Sequence, residues 1–450
     1  MPKKIFLCLL LAFSVSPLPA QVQTGIYPYG SFDNLGVDSI DRGSLNVHFS
    51  IPVVNKQGRG LPFQYELVYD SLVWTPVSST GAQVWTPAVG FGLHGQLYEG
   101  FEGYLSYFTD NIKCYESGGG FTYTPVNSNY VYHDPFGVSH PLPYTINYCT
   151  EGVTGSGKPS VDGSGYSYNG VSVVSKDGKQ INAPANSQTA GGNITDTNGN
   201  YISNNGNGTF TDTLGTTGLT ITGSGTASSP RVFTYSTPTG TANVTVTYKT
   251  YTVRTNFGCA STEFNMSEDL PYRITLGDGT FYEFAYEATP GYSGDVTGRL
   301  YQLTLPQGGV ITYTYSGANN GIICADGTPA GLTRSGGVSR SYARPASLVT
   351  SATSHTDITD GLSPANVSNF DFVMSGSPES FYETNRTVNQ GSSSVLLTRQ
   401  TCYANTTHPC TTTAVALPIA QIDTYESLNG SGLHGSRLTY NFASDVMAAA

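Results

Sequence analysis

The sequence predicts an all-β chain of antiparallel hairpins and meanders, and three observations carry that prediction. Only 11% of the 450 residues are charged, whereas 31 are tyrosine and 53 are glycine, a composition that suits sheets with many tight turns and not helices. Apolar and polar side chains alternate in short runs, each closed by glycine, proline or aspartate. The clearest set lies between Pro271 and Tyr315, where Tyr272 to Leu276, Thr280 to Tyr286, Arg299 to Leu305 and Val310 to Tyr315 read as four strands of a meander. Its first join, Gly277-Asp278-Gly279, tolerates the positive φ of a tight hairpin, and Pro306-Gln307-Gly308-Gly309 serves the third. Tyr282, Phe284 and Tyr286 share one face of the second strand, and Ile311, Tyr313 and Tyr315 one face of the fourth.

Residues 1–20 read as a secretory signal peptide, with Lys3 and Lys4 ahead of an apolar run from Ile5 to Val15 and a cut after Ala20. No later stretch is apolar enough to cross a bilayer as a helix, so the chain is expected to be secreted or held at the cell surface. Residues 21–150 form an N-terminal β domain of sandwich-like character. It opens with a long hairpin, Leu45, Val47 and Phe49 on one face of the outgoing strand and the return beginning at Pro62. Next come the two tryptophans, in the near duplication VWTPV and VWTPA. If their flanks pair, Trp74 and Trp85 lie close together, either as a cross-strand packing pair or as an aromatic platform on which a sugar ring stacks.

Aromatic residues alternate from Cys114 to Tyr148, around Asp134-Pro135-Phe136-Gly137, a type I turn with proline at its second position. Residues 151–230 are rich in Gly, Ser, Asn and Thr and read as extended, shallow β structure or a linker. Within them Asp196 to Asn200 resembles the start of a calcium loop but lacks the later glutamate, which favours a hairpin turn. Residues 231–316 hold a further hairpin and the meander. Residues 317–450 begin with a loop-rich stretch to Pro364, carrying Arg334, Arg340 and Arg344 as solvated cations or an anion site. Strands return after it, and the last, at Ser436, runs into DVMAAA with no turn or further strand to follow, as expected of a fragment, a truncated gene or the N-terminal portion of a longer protein.

The phrase GRLYQLTLPQGGVITYTYS, Gly298 to Ser316, resembles the tyrosine-aspartate (YD) or Rhs repeat: a Gly-Arg-Leu strand start, a Thr-x-Pro-x-Gly turn and a Tyr-x-Tyr strand end. Ser316 stands where that repeat has aspartate. Weaker echoes begin at Tyr130 and Ile194. The resemblance implies that the chain is like the N-terminal shell region of a secreted repeat protein whose β-spiral presents a C-terminal effector segment, absent here. An aspartate-proline-glycine element marks a self-cleavage site in that family. No second Asp-Pro accompanies Asp134-Pro135 here, which favours the turn.

A formal charge of −11 with 20 Lys plus Arg excludes a nucleic-acid partner, since phosphate binding needs clustered cations. The six cysteines after Cys8 are Cys114, Cys149, Cys259, Cys324, Cys402 and Cys410, an even number that reads as disulfides in an exported chain. Cys402 and Cys410 flank a polar, turn-forming interval between two strands, which predicts a bridge at the mouth of a hairpin loop; the competing reading joins each to a distant cysteine such as Cys324. No nucleophile elbow, HExxH, Walker loop or strand-to-helix GxGxxG occurs, so no catalytic residue, cofactor or metal is expected. His133 and His140 flank the Asp134 turn and could meet across it, but a zinc ion would need further ligands. The expected function is a non-enzymatic exported scaffold for surface interaction or effector presentation. The alternative is a carbohydrate-binding or adhesive module with a cell-surface glycan or protein as partner, and the third a secreted glycosidase.

Overall fold

The computed structural model describes residues 22–57, 61–79, 82–94, 101–115, 119–147, 154–187, 190–317, 319–322, 330–345, 353–403 and 415–440. The signal-peptide prediction lies outside them. Among the described residues the architecture is all-β and antiparallel apart from one single-bridge parallel contact between two strands and three isolated parallel bridges, and the one helical element is the 3-10 turn Val89–Gly92.

The N-terminal hairpin forms as its alternation dictates. Val47–Lys56 pairs with Phe63–Asp70 from His48↔Asp70 to Lys56↔Phe63, with a bulge between Pro52 and Val54. Val47, Phe49 and Ile51 on one strand and Tyr65, Leu67 and Tyr69 on the other are buried. Leu45 falls just before the strand at φ 63° instead of on its face. Phe32–Asn34, Ser39–Asp41 and Leu93–His94 complete a five-stranded sheet. Two smaller ribbons follow, Trp74–Ser79 with Ala82–Pro87, and Tyr104–Tyr115 with Phe121–His133 and Ser139–Leu142.

From Ser167–Tyr168 to His434–Thr439 the chain builds one 21-stranded sheet in which each strand pairs with the next in sequence. The Gly/Ser/Asn/Thr-rich stretch is therefore sheet and not linker: Gly192–Thr195, Tyr201–Asn204, Thr209–Asp212 and Thr217–Thr222 are strands of it. The stretch predicted to be loop-rich up to Pro364 contains three more, Ala330–Ser335, Arg340–Arg344 and Thr353–Asp360. The four predicted meander strands appear at Asn265–Thr275, Phe281–Ala288, Val296–Thr304 and Val310–Gly317.

One turn recurs along this sheet. At Asp196 the Gly199 amide donates to the Asp196 carbonyl at 3.1 Å, the Asp196 amide donates to the Asn200 carbonyl at 2.8 Å, and Oδ1 accepts from the Asn198 and Asn200 amides, each at 2.8 Å. Gly199 sits at φ 82°, where a side chain would be strained. Asp212 repeats the arrangement with Gly215 in the same sheet, and Asp134 repeats it with Gly137 in the separate ribbon, between Phe121–His133 and Ser139–Leu142. A carboxylate that satisfies the amides of its own turn makes Asp-x-x-Gly a strong local hairpin signal.

The core explains how these sheets sit together. A single cluster joins Ile40, Val47, Phe49, Ile51, Tyr65, Leu67 and Tyr69 of the N-terminal sheet to residues from every strand between Tyr201–Asn204 and Ser380–Gln390, among them Phe210, Phe233, Ile274, Leu303, Tyr313, Tyr342, Phe370 and Phe381. That run of strands laid flat would be about 60 Å wide, against about 20 Å for the five-stranded sheet. Both fit one cluster only if the long sheet curls around the short one. The expected face-to-face packing of the N-terminal part is present, but the second sheet comes from the later chain.

Candidate functional site

Trp74 and Trp85 are placed on facing strands as predicted, through the pairs Trp74↔Pro87 and Pro76↔Trp85, but their rings are buried, at 7% and 2% exposure. Trp74 packs against Phe91, Phe257 and Phe264 and donates from Nε1 to the Thr297 carbonyl at 2.8 Å, while Trp85 meets Phe257 edge-on. They form a secondary core with Val253 and Leu270. The alternative reading of this pair as a stacking platform for a sugar is thereby corrected: neither ring presents a face to solvent.

The exposed aromatic surface is elsewhere. The outer half of the ribbon Tyr104–Tyr115/Phe121–His133 carries Tyr115 at 75%, Tyr123 at 64% and Phe121 at 49% exposure. The registers Tyr115↔Phe121 and Lys113↔Tyr123 put all four side chains on one face. Phe121 lies edge-on to Tyr123 at 5.6 Å and to Tyr115 at 6.5 Å, and Lys113 Nζ sits 3.6 Å from the Phe121 ring centroid. Phe108 and Ile112 are exposed on the opposite face. The ribbon base, by contrast, is packed through Leu105, Tyr130 and Tyr132 against Val173 and Ile181. A rigid base thus carries a solvent-facing aromatic tip with one cation. The alternating aromatics had marked these strands in the sequence, but alternation alone does not say which half leaves the core.

At that base sits a titratable cluster. His140 is buried between two carboxylates, Nδ1 at 2.6 Å from Asp162 Oδ2 and Nε2 at 3.3 Å from Asp134 Oδ2. Burial pushes its imidazolium down, but the hydrogen bonds and charges of Asp134 and Asp162 outweigh burial and hold it at about 9. His133 lies one register position away, His133↔Ser139 against His140↔Tyr132, so the two rings point to opposite faces. Its nitrogens meet Ser106 and Ser139, at 2.8 and 2.9 Å. The two histidines do not meet across the turn, and no group of three His, Cys, Asp or Glu among the described residues could hold a metal. Glu102 is also buried here. Burial raises its carboxyl to about 7 despite a 2.9 Å hydrogen bond from Asn204 Nδ2. A raised carboxylic acid is one half of the pair a glycosidase uses, and here it is fully buried, with Asn204 as its side-chain partner.

None of the three arginines is on a loop: Arg334 and Arg344 are buried in strands, and Arg340 is half-buried at a strand start. Arg334 is buried and forms a bidentate pair with Asp38, Nη2–Oδ1 2.7 Å and Nε–Oδ2 3.0 Å, and Tyr313 OH donates to the same carboxylate at 2.9 Å. Arg340 Nε lies 3.7 Å from Asp33, and Arg344 is buried beside Ser354, its guanidinium lowered to about 10 by burial. All three face inward because alternate residues of Ala330–Ser335 and Arg340–Arg344 do. Arg334 and Arg340 tie the curled sheet to the N-terminal one, and Arg344 braces a neighbouring strand of its own sheet. Among the cysteines, Cys402 is buried, and Cys410, its predicted partner, lies outside the described residues.

No family model matches the chain, and no curated protein matches it.

Proposed function

We propose that the chain is a non-enzymatic, exported β scaffold of the kind the YD/Rhs resemblance implies, serving surface interaction or the presentation of an effector segment. The observation that carries this reading is the uninterrupted 21-stranded sheet curled around the N-terminal sheet with one shared core. Such a design commits most of the chain to enclosure, and its ionisable groups, such as Asp38 with Arg334, to fastening one sheet to the other. In this reading export is followed by oxidation, and a Cys402–Cys410 bridge pins the loop between two late strands. Purified protein with hydrolytic or toxic activity of its own would end the scaffold reading; inert protein that binds a surface or a second polypeptide would support it.

A second reading, a carbohydrate-binding or adhesive module, is favoured by the exposed ribbon tip, because Tyr115, Phe121 and Tyr123 offer the ring faces that Trp74 and Trp85 do not. A glycan array separates the two. Specific binding lost in Tyr115→Ala or Tyr123→Ala with an unchanged melting temperature supports adhesion by this surface, and an array without signal removes it.

A further inference from the structure

Where the curled sheet reaches its rim, strands Arg340–Arg344, Thr353–Asp360, Val367–Ser375 and Ser380–Gln390 enclose a cavity of about 460 Å³. That volume falls among small-ligand sites, roughly 300–1,000 Å³. Its apolar floor includes Ile358 and Val388, on one inward row through the registers Ile358↔Ser368 and Ser368↔Val388. Polar groups surround that floor: Arg340, Ser368, Asn389 and Gln390. Ile358 and Asn389 are buried and Gln390 is exposed, so the cavity runs from the interior out to the surface.

The wall chemistry narrows the ligand. Asp360 is occupied by its own turn, accepting from the Leu362 and Asn366 amides and from Asn366 Nδ2 at 2.8 Å. Arg340 donates from Nη1 to the Ser339 carbonyl at 3.1 Å and its Nε lies 3.7 Å from Asp33, beyond hydrogen-bonding range, so the Nη2 edge of its fork is open to a ligand. Asn389 uses Nδ2 on the Val367 carbonyl at 3.0 Å, which leaves its Oδ1 as an acceptor. Within the lining Asp360 offsets Arg340, and Asp33, just outside it, is shared between Arg340 at 3.7 Å and Arg42 at 3.6 Å, so no surplus positive charge is left for a phosphate or a carboxylate. Interspersed donors and acceptors over an apolar floor, without net charge, match a ring with hydroxyl edges and C–H faces.

We propose that this rim cavity binds one or two units of a neutral saccharide, with Arg340, Ser368, Asn389 and Gln390 meeting the hydroxyls and Ile358 and Val388 the ring face. The site is distinct from the ribbon tip and does not depend on the scaffold reading. The test is saturation-transfer NMR on the purified chain with glucose, galactose, mannose, N-acetylglucosamine and their (1→4)-linked disaccharides. Transfer to at least one sugar is expected, lost in the cavity-filling Ser368→Phe and about tenfold or more weaker in Arg340→Ala, with thermal melting recorded for each variant. Should Ser368→Phe melt early, Leu396→Trp, at an exposed wall position, closes the mouth without touching the core. Absence of transfer from every sugar, transfer that survives a folded closing variant, or transfer lost in Tyr115→Ala and Tyr123→Ala instead would overturn the proposal.

Discussion

The tryptophan hairpin and the aromatic ribbon are built alike, two antiparallel strands rich in rings, and the chain uses them in opposite ways. Trp74 and Trp85 close a secondary core with Phe257 and Leu270, whereas Tyr115, Phe121 and Tyr123 face solvent around Lys113. The difference lies in what later strands bring to each. Gly240–Arg254 and Val296–Thr304 cover the first hairpin, through Val253 and the Thr297 carbonyl, while among the described residues the second packs on the long sheet at its base, through Val173 and Ile181. Ring content therefore says where large contact area is available, and tertiary covering decides whether it becomes core or surface.

The strongest way to break that comparison is to truncate one ring on each side. Trp74→Ala removes a buried indole and its hydrogen bond to Thr297, and is expected to cost about 3–5 kcal/mol in urea denaturation. The N-terminal sheet supplies a second buried contact to set beside it. Asp38→Ala strands the Arg334 guanidinium in the interior and is expected to cost about 3–5 kcal/mol, much of it recovered when Arg334→Met is added.

The ribbon base gives a smaller, pH-dependent effect. Because the folded His140 is raised from 6.5 to about 9, its stabilisation is fully present below 6.5 and is lost as pH rises through 9, about 3 kcal/mol in all. Glu102, raised from 4.5 to about 7, adds a fall in stability between those values and none above them. Denaturant midpoints across pH 4 to 10 should therefore decline. His140→Gln flattens the alkaline part and Glu102→Gln the acidic part, and a wild-type profile that rises over this range would contradict the assignment. The smallest effect belongs to the tip, where Tyr115→Ala and Tyr123→Ala should stay within about 0.5 kcal/mol of wild type.

What was legible in the sequence was local. Asp134, Asp196 and Gly277-Asp278-Gly279 announced their turns because the chemistry of each is complete within five residues, and the meander from Tyr272 to Tyr315 followed from its alternation. What was not legible was anything settled by distant partners. Arg334 read as a loop cation because Asp38 lies 296 residues away. The strands near Tyr201 and Thr209 read as shallow because they carry few large side chains, but Ile202 and Phe210 are enough to join the core, Phe210 packing against Phe63 and Tyr65. His133 and His140 misled for a geometric reason: neighbouring register positions point to opposite faces.

The N-terminal sheet and the curled sheet fold as one body around one core. Native-state hydrogen exchange followed by mass spectrometry tests it most directly. Peptides from Val47–Lys56 and from Val296–Thr304 should show the same opening free energy and lose protection together in Asp38→Ala. An N-terminal sheet that exchanges independently, with Val296–Thr304 protected as in the wild type, would contradict the account.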